Sequence, residues 1–413
     1  MRNKDDSIIK TINGGICAVE GVKAAGVRNG KYGLALILSE NASAAGTFTS
    51  NKITAAPLDH TKKTIKDGKI SLIVANSGNA NCFTGEKGME DCQNIVDLSS
   101  QLLNIPNNNI ATASTGVIGR KLPMDIITNL IKKASDKLEN SNIASEDAAK
   151  AIMTTDTVHK ECAVQVTLKN NETVKIGGIC KGIGMISPNM ATLLCFITTD
   201  AKINSEALKT SLKIAVEDSF NMLSVDGDES TNDTVLILAN GKSKNEIVDS
   251  DGIIDDNFQK GLNYLCKDLA KKIAYDGEGA TKFLEVNVVG AKNNKDARNV
   301  AKSVVNSSLI KTAFFGEDPN WGRIVMAIGY SKAEIIPNKL SIAISSNGNF
   351  VDLVKDGEGL AFDGTSYLKE AEEIIKNREI IITIDLNLGN YSAIAYGCDF
   401  SYDYVKINAE YTT

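Results

Sequence analysis

The residues best suited to chemistry lie between Lys181 and Thr199, KGIGMISPNMATLLCFITT. A glycine-rich loop carrying a lysine runs into Pro188, Asn189, Met190 and Ala191, and then into an apolar strand that opens with Thr192. A threonine hydroxyl at a sharp loop-to-strand junction can reach the carbonyl carbon of the residue before it. Attack there moves the Ala191 acyl group from the Thr192 nitrogen to its Oγ, and hydrolysis of that ester leaves Thr192 as a new chain terminus. The α-amine so formed has a reference pKa of about 7.7 to 8.0. It can take the proton of its own hydroxyl near neutral pH, so an N-terminal threonine becomes a nucleophile without a histidine. By spacing alone, an ordinary β-branched strand residue remains the simpler reading of Thr192.

Other chemistries find less support. The two histidines, His60 in PLDHTKK and His159 in TVHKEC, stand in polar stretches that predict solvated side chains, and neither belongs to a zinc-binding pattern. The eight cysteines are scattered without C-x-x-C spacing, which predicts buried small hydrophobes in a reducing compartment. Asp226 and Asp228 in SVDGDEST resemble a fragment of a calcium loop whose remainder is missing, so a structural turn is expected. No G-x-G-x-x-G follows a strand and no G-x-x-x-x-G-K-[ST] occurs, so nucleotide binding has no basis. No metal or resident cofactor is expected. Thr115 and Gly116, in ASTGVIG after a short apolar strand, offer a hydroxyl and a backbone N–H where glycine permits close approach. The pair also reads as a plain turn.

The elements that must position these residues are those of a mixed α/β protein. Apolar runs predict strands at Gly33–Leu38, Ile70–Ala75, Ala163–Leu168, Thr173–Gly178, Thr192–Thr198, Thr234–Ala239, Leu284–Val289, Lys339–Ile344, Ile380–Leu386 and Ser392–Tyr396. Helical spacing predicts Asp91–Leu103, Met124–Lys137, Ser205–Phe220, Asp256–Ala274, Ala297–Thr312 and Ser366–Lys376. DGEG occurs at Asp276–Gly279 and Asp356–Gly359, the second copy read as a turn, and Trp321 in DPNWGRI is expected to pack a loop on the core. With 413 residues, 43% of them hydrophobic, the chain is expected to fold as two or three globular units. A net charge of −6 provides no basic field for nucleic acid or an anionic membrane. No apolar run approaches the ~20 residues of a membrane span. The opening MRNKDDSIIKTINGG carries acids where a secretory segment would be apolar, so a cytoplasmic protein is expected.

KGIGMISPNMATLLCFITTDA resembles the signature of the ornithine acetyltransferase family, the bifunctional glutamate N-acetyltransferases of arginine biosynthesis. Further blocks match in order: NSGNANCFTG, ASTGVIGRKLP, AIMTTDT, SVDGDESTNDT, AYDGEGATK, FGEDPNWGRI and YGCDFSYDYVKINAEYTT. The departures, at Cys82, Phe83, Glu229, Val158 and His159, touch no residue given a role. The resemblance implies cleavage at Ala191–Thr192, acetylation of Thr192, and an oxyanion hole at Thr115 and Gly116. It implies substrate binding by Thr155, Lys181, Thr192, Glu278, Asn408 and Thr413, although spacing does not decide among Thr154, Thr155 and Thr157.

It implies an α-β-β-α sandwich of the autoprocessed N-terminal-threonine type. An α chain 1–191 and a β chain 192–413 would stay associated as a heterotetramer of two of each, with a smaller α/β C-terminal domain at about 284–395. The transfer implied is ping-pong, from N2-acetylornithine to glutamate, with acetyl-CoA as a conceivable second donor. A related autoprocessed aminopeptidase or amidase, with water in place of glutamate, is the alternative, and a non-catalytic binding protein is a third reading.

Overall fold

The computed structural model describes residues 8–187 and 193–410, so Ala191, Thr192 and Thr413 lie outside the described residues. Two compact units are built from interleaved stretches of chain. One takes in 8–182, 193–217 and 229–269, the other 183–187, 218–228 and 270–410.

The first unit opens with strands β1 (Ile9–Ile12), β2 (Val22–Asn29), β3 (Tyr32–Ser39) and β4 (Ser43–Phe48), then helix α1 (Ala56–Thr64) and strand β5 (Leu72–Asn79). Helix α2 (Gly85–Leu103), strand β6 (Ile110–Val117) and helices α3 (Met124–Ser135) and α4 (Asn142–Ile152) follow. Strands β7 (Lys160–Thr167), β8 (Thr173–Lys181) and β9 (Leu194–Thr199) lead to α5 (Ser205–Glu217). A short strand of the second unit, β10 (Leu223–Ser224), precedes β11 (Thr234–Ala239) and α6 (Asp256–Tyr275).

These strands form a four-stranded sheet, β2-β3-β5-β6, and a six-stranded sheet, β1-β7-β8-β9-β11-β4. The near-continuous apolar runs of β3 and β5 belong to strands buried on both faces. On one face Leu34, Leu36, Leu72 and Val74 pack with Ile95 and Val96 of α2 and Ile127 and Leu130 of α3. On the other, Ala35, Ile37, Ile73 and Ala75 share a core with Phe196 of β9 and Leu236 and Leu238 of β11. Each fully buried leucine or isoleucine here contributes about 1.5–3 kcal/mol. A Cβ on Gly178 of β8 would lie 3.0 Å from Leu265 and Leu269 of α6, so that helix packs directly on the six-stranded sheet.

The second unit continues with β12 (Phe283–Ala291), α7 (Asn294–Val305), α8 (Ser308–Phe315) and α9 (Trp321–Gly329). Strands β13 (Ser341–Ser346), β14 (Asn349–Lys355) and β15 (Glu358–Gly359), helix α10 (Ser366–Ile375), strands β16 (Glu379–Asp385) and β17 (Tyr391–Cys398) and helix α11 (Tyr402–Glu410) complete it. Its seven strands are ordered β10-β17-β12-β16-β13-β14-β15. Val300, Ala301, Val304 and Val305 of α7 recur at helical spacing and join Val286, Val288 and Ile382 in one core.

Two expectations need correction. The helix expected over Ala297–Thr312 is broken at Asn306–Ser307, because the Ser307 hydroxyl accepts the Ile310 N–H and starts α8 as a new helix. His60 and His159 are half-buried rather than solvated. The His60 Nε2 lies 3.0 Å from the Ile110 carbonyl oxygen, and burial lowers the imidazole pKa. The eight cysteines are free and buried, as expected. The second DGEG is a hairpin turn with Asp356 and Gly357 at φ 47° and 82°. Trp321 packs against the second unit's core and donates Nε1–H to the Ala361 carbonyl. Among the described residues no helix is long and apolar enough to cross a membrane.

A Cβ on Gly26 of β2 would lie 1.9 Å from the Asp147 carbonyl oxygen in α4. Gly26→Ala is expected to destabilise the protein by about 1 to 3 kcal/mol in urea unfolding. A change below about 0.5 kcal/mol would mean that α4 is free to shift away.

Candidate active site

Thr115 and Gly116 stand at the end of β6, where its parallel ladder with β5 is irregular beside Gly78 and Asn79. Gly116 has φ +131°, and a Cβ there would lie 2.4 Å from the Gly78 carbonyl carbon, so only glycine fits. Asparagine side chains tie the turn down. Asn76 Nδ2 donates to the Asn79 carbonyl, and Asn79 Nδ2 to the carbonyls of Arg120 and Lys121. From before β11, Asn232 Nδ2 donates to the carbonyls of Ala80 and Ser114, at 2.7 and 2.8 Å. The NSGNAN and STNDT blocks thus build the frame of the Thr115–Gly116 turn.

Lys181 ends β8 and is only 3% exposed, as is Thr115, and its Nζ donates to Thr115 Oγ1 at 3.3 Å. Beside it lies an acid that the sequence reading passed over. Asp156 follows Thr155, and its carboxylate takes Lys160 Nζ at 2.8 Å, the Gly182 N–H at 2.9 Å and the Thr154 N–H at 3.1 Å. The side chains of this ion pair are 0% and 1% exposed. Burial would raise the Asp156 pKa, but the charges of Lys181 and Lys160 with these hydrogen bonds outweigh it and hold the carboxyl below its usual range. Thr155 itself is half-buried in the loop before β7.

The register of β8, β9 and β11 sets what stands beside the expected cleavage segment. Leu194 pairs with Lys181 on one side and Thr234 on the other. The Leu193 N–H donates to Asp233 Oδ1 at 3.1 Å, and the Thr234 N–H donates to the Leu193 carbonyl at 3.0 Å. The Asp233 side chain is fully buried. Burial pushes this carboxyl well above the usual carboxylate range. Asp233 is a second residue the sequence reading missed.

In the second unit, the structure brings Glu278 and Asn408 together. Asn408 Nδ2, on α11, donates to Glu278 Oε2 at 2.8 Å, and Glu278 is buried. The Glu278 N–H donates to the Ile183 carbonyl at 2.9 Å. A Cβ on Gly184 would lie 2.4 Å from the Glu278 carboxylate, which explains that glycine. Asp226 takes the N–H groups of Met185 and Ile186 at 2.6 and 2.8 Å, and the Ile186 carbonyl in turn accepts from Val225, Asp226 and Gly227. The SVDGD turn is therefore structural, fixing Ile183–Ser187 with Met185 at φ +57°.

A buried hydroxyl donor beside a glycine N–H, backed by a lysine, is equipment for stabilising the oxyanion of acyl transfer. Residues 19–413 match the ArgJ family. A glutamate N-acetyltransferase of Methanothermobacter thermautotrophicus is 51% identical over 98% of this chain and 99% of its own. One of Methanocaldococcus jannaschii is 52% identical over 98% of this chain and 100% of its own. The solved arginine biosynthesis bifunctional protein argJ of Bacillus halodurans is 44% identical, covering 52% of this chain and 98% of its own, at a TM-score of 0.48. The protein is an acetyltransferase of arginine biosynthesis. The chain belongs to the ArgJ family.

Asp233 has a raised pKa in the fold, so its contribution to stability is full below its unfolded value, about 3.9, and is lost as pH rises towards the folded one. Asp233→Asn keeps an acceptor for Leu193 and has no proton to lose. Its stability relative to the parent is expected to grow as pH rises above about 4. A pH-independent difference in Tm would contradict the raised pKa of Asp233.

Proposed function

We propose that this chain cuts itself between Ala191 and Thr192 and transfers acetyl groups from N2-acetyl-L-ornithine to L-glutamate through Thr192. Membership of the ArgJ family and the glutamate N-acetyltransferase names of its relatives support the acceptor. The observation that carries the chemistry is the buried Thr115 hydroxyl, held beside Gly116 and in contact with Lys181.

Thr192 Oγ adds to the acetyl carbonyl carbon, and the carbonyl π electrons pass to oxygen, where Thr115 Oγ–H and the Gly116 N–H meet the charge. The Thr192 amine takes the hydroxyl proton and returns it to the departing nitrogen of ornithine, leaving an acetyl ester on Thr192. The amine of glutamate then attacks that ester, and N-acetylglutamate leaves with the Thr192 hydroxyl restored. Lys181 serves the substrate carboxylate, and Glu278 with Asn408 the amino group. Thr155 and Thr413 complete the binding set. Acetyl-CoA is a second donor to be tested.

In this reading the fold is an α-β-β-α sandwich, supported in the first unit by α2 and α3 on one sheet and α6 on the other. The mature enzyme is a cytoplasmic heterotetramer of α chain 1–191 and β chain 192–413, with a smaller C-terminal domain at about 284–395.

Brief exposure to N2-acetylornithine, followed by mass spectrometry, is expected to add one acetyl group to Thr192 of the second fragment. Thr192→Ala is expected to stay intact and inactive, and residual transfer by that variant would refute the covalent route.

A further inference from the structure

An ammonium donates hydrogen bonds and has no lone pair with which to accept one. Lys181 as an ammonium therefore fixes the direction of its contact with Thr115, whose Oγ1 must accept. The proton on that hydroxyl is then available to another acceptor, and among the described residues the hydroxyl makes no other hydrogen bond. A hydroxyl that accepts from a cation is also a stronger donor.

We propose that Lys181 makes the Thr115 hydroxyl an obligate oxyanion donor, and that Asp156 and Lys160 are positioning residues that set Lys181. The proposal rests on the reading of Thr192 as nucleophile and adds to Lys181 a role distinct from binding a substrate carboxylate. Asp156 grips the Gly182 N–H, which fixes the backbone one residue beyond Lys181. Its charge acts on Lys181, and Lys160 holds the carboxylate at 2.8 Å. The Lys181 ammonium places a positive charge against the Thr115 hydroxyl in a water-poor interior. That charge favours a negative oxygen in front of Thr115, in self-cleavage and in transfer alike.

The test uses p-nitrophenyl acetate, an acetyl donor with no amino-acid carboxylate, beside N2-acetylornithine. Rates of Thr192 acetylation are measured in the full-length, self-processed enzyme. Lys181→Met and Thr115→Val are each expected to slow acetylation by the ester about 10- to 100-fold with KM unchanged. The double variant is expected to be no slower than the slower single one, because one donor is lost in every case. Thr115→Ser should retain most of the rate and its dependence on Lys181, and Asp156→Asn should lie between parent and Lys181→Met. Should Lys181→Met remain uncut, the same cycle is read on the rate of self-cleavage.

Additive losses in the double variant overturn the proposal. So does a Lys181→Met enzyme that takes acetyl from the ester within about twofold of the parent rate while KM for N2-acetylornithine rises. A parent enzyme that is acetylated at Thr192 by neither compound overturns the nucleophile reading itself, and this proposal with it.

Discussion

A buried carboxylate paired with Lys160 and under the charge of Lys181 fixes the chain around the end of β8. Asp156 is taken out of water at a cost that its partners must offset, and the fold supplies Lys160, two backbone N–H groups and the charge of Lys181 to do so. Losing one partner of such a cluster leaves an uncompensated buried charge, commonly worth about 3–5 kcal/mol. The cluster therefore has one arrangement, and the end of β8 takes its position from it. From β8 the constraint passes to Lys181, from Lys181 to the Thr115 hydroxyl, and by the β8–β9 register to Leu194, two residues past Thr192.

The chain on either side of residues 188–192 is tied by a carboxylate. Upstream, in the second unit, Asp226 holds Met185 and Ile186 through their amides. Downstream, in the first, Asp233 holds Leu193. In the proposed self-cleavage, anchoring the chain at Met185–Ile186 and at Leu193 would lower the entropy that the step must otherwise lose.

The strands and helices that were legible in the sequence are the heavily apolar ones. Thr234–Ala239 is matched to the residue, and β3, β8 and β16 within a few residues, because each carries an apolar run that stands out from its polar flanks. The misses are small-residue or half-polar elements. β2 reads VKAAGVRN and β4 SAAGTF, and the alanine-rich α4 packs so closely that Gly26 must be glycine. Nothing local in such segments resists a loop reading, and tertiary packing decides them.

The candidate site shows the same division. Thr115, Gly116, Lys181, Glu278 and Asn408 stood out through motif blocks, and the structure brings Thr115 to Lys181 and Asn408 to Glu278. Asp156 and Asp233 lay inside quoted blocks, TTDT and STNDT, but an acid among threonines reads as a turn residue until burial is known. A signal did exist for the first: Asp156 and Lys160 stand four apart, within reach of each other. N-terminal sequencing of the shorter-numbered break in the purified protein tests the central claim most directly. The account predicts a second fragment opening Thr-Leu-Leu-Cys-Phe, from Thr192, whereas a new terminus at any other residue, or an active enzyme with no break at all, would contradict it.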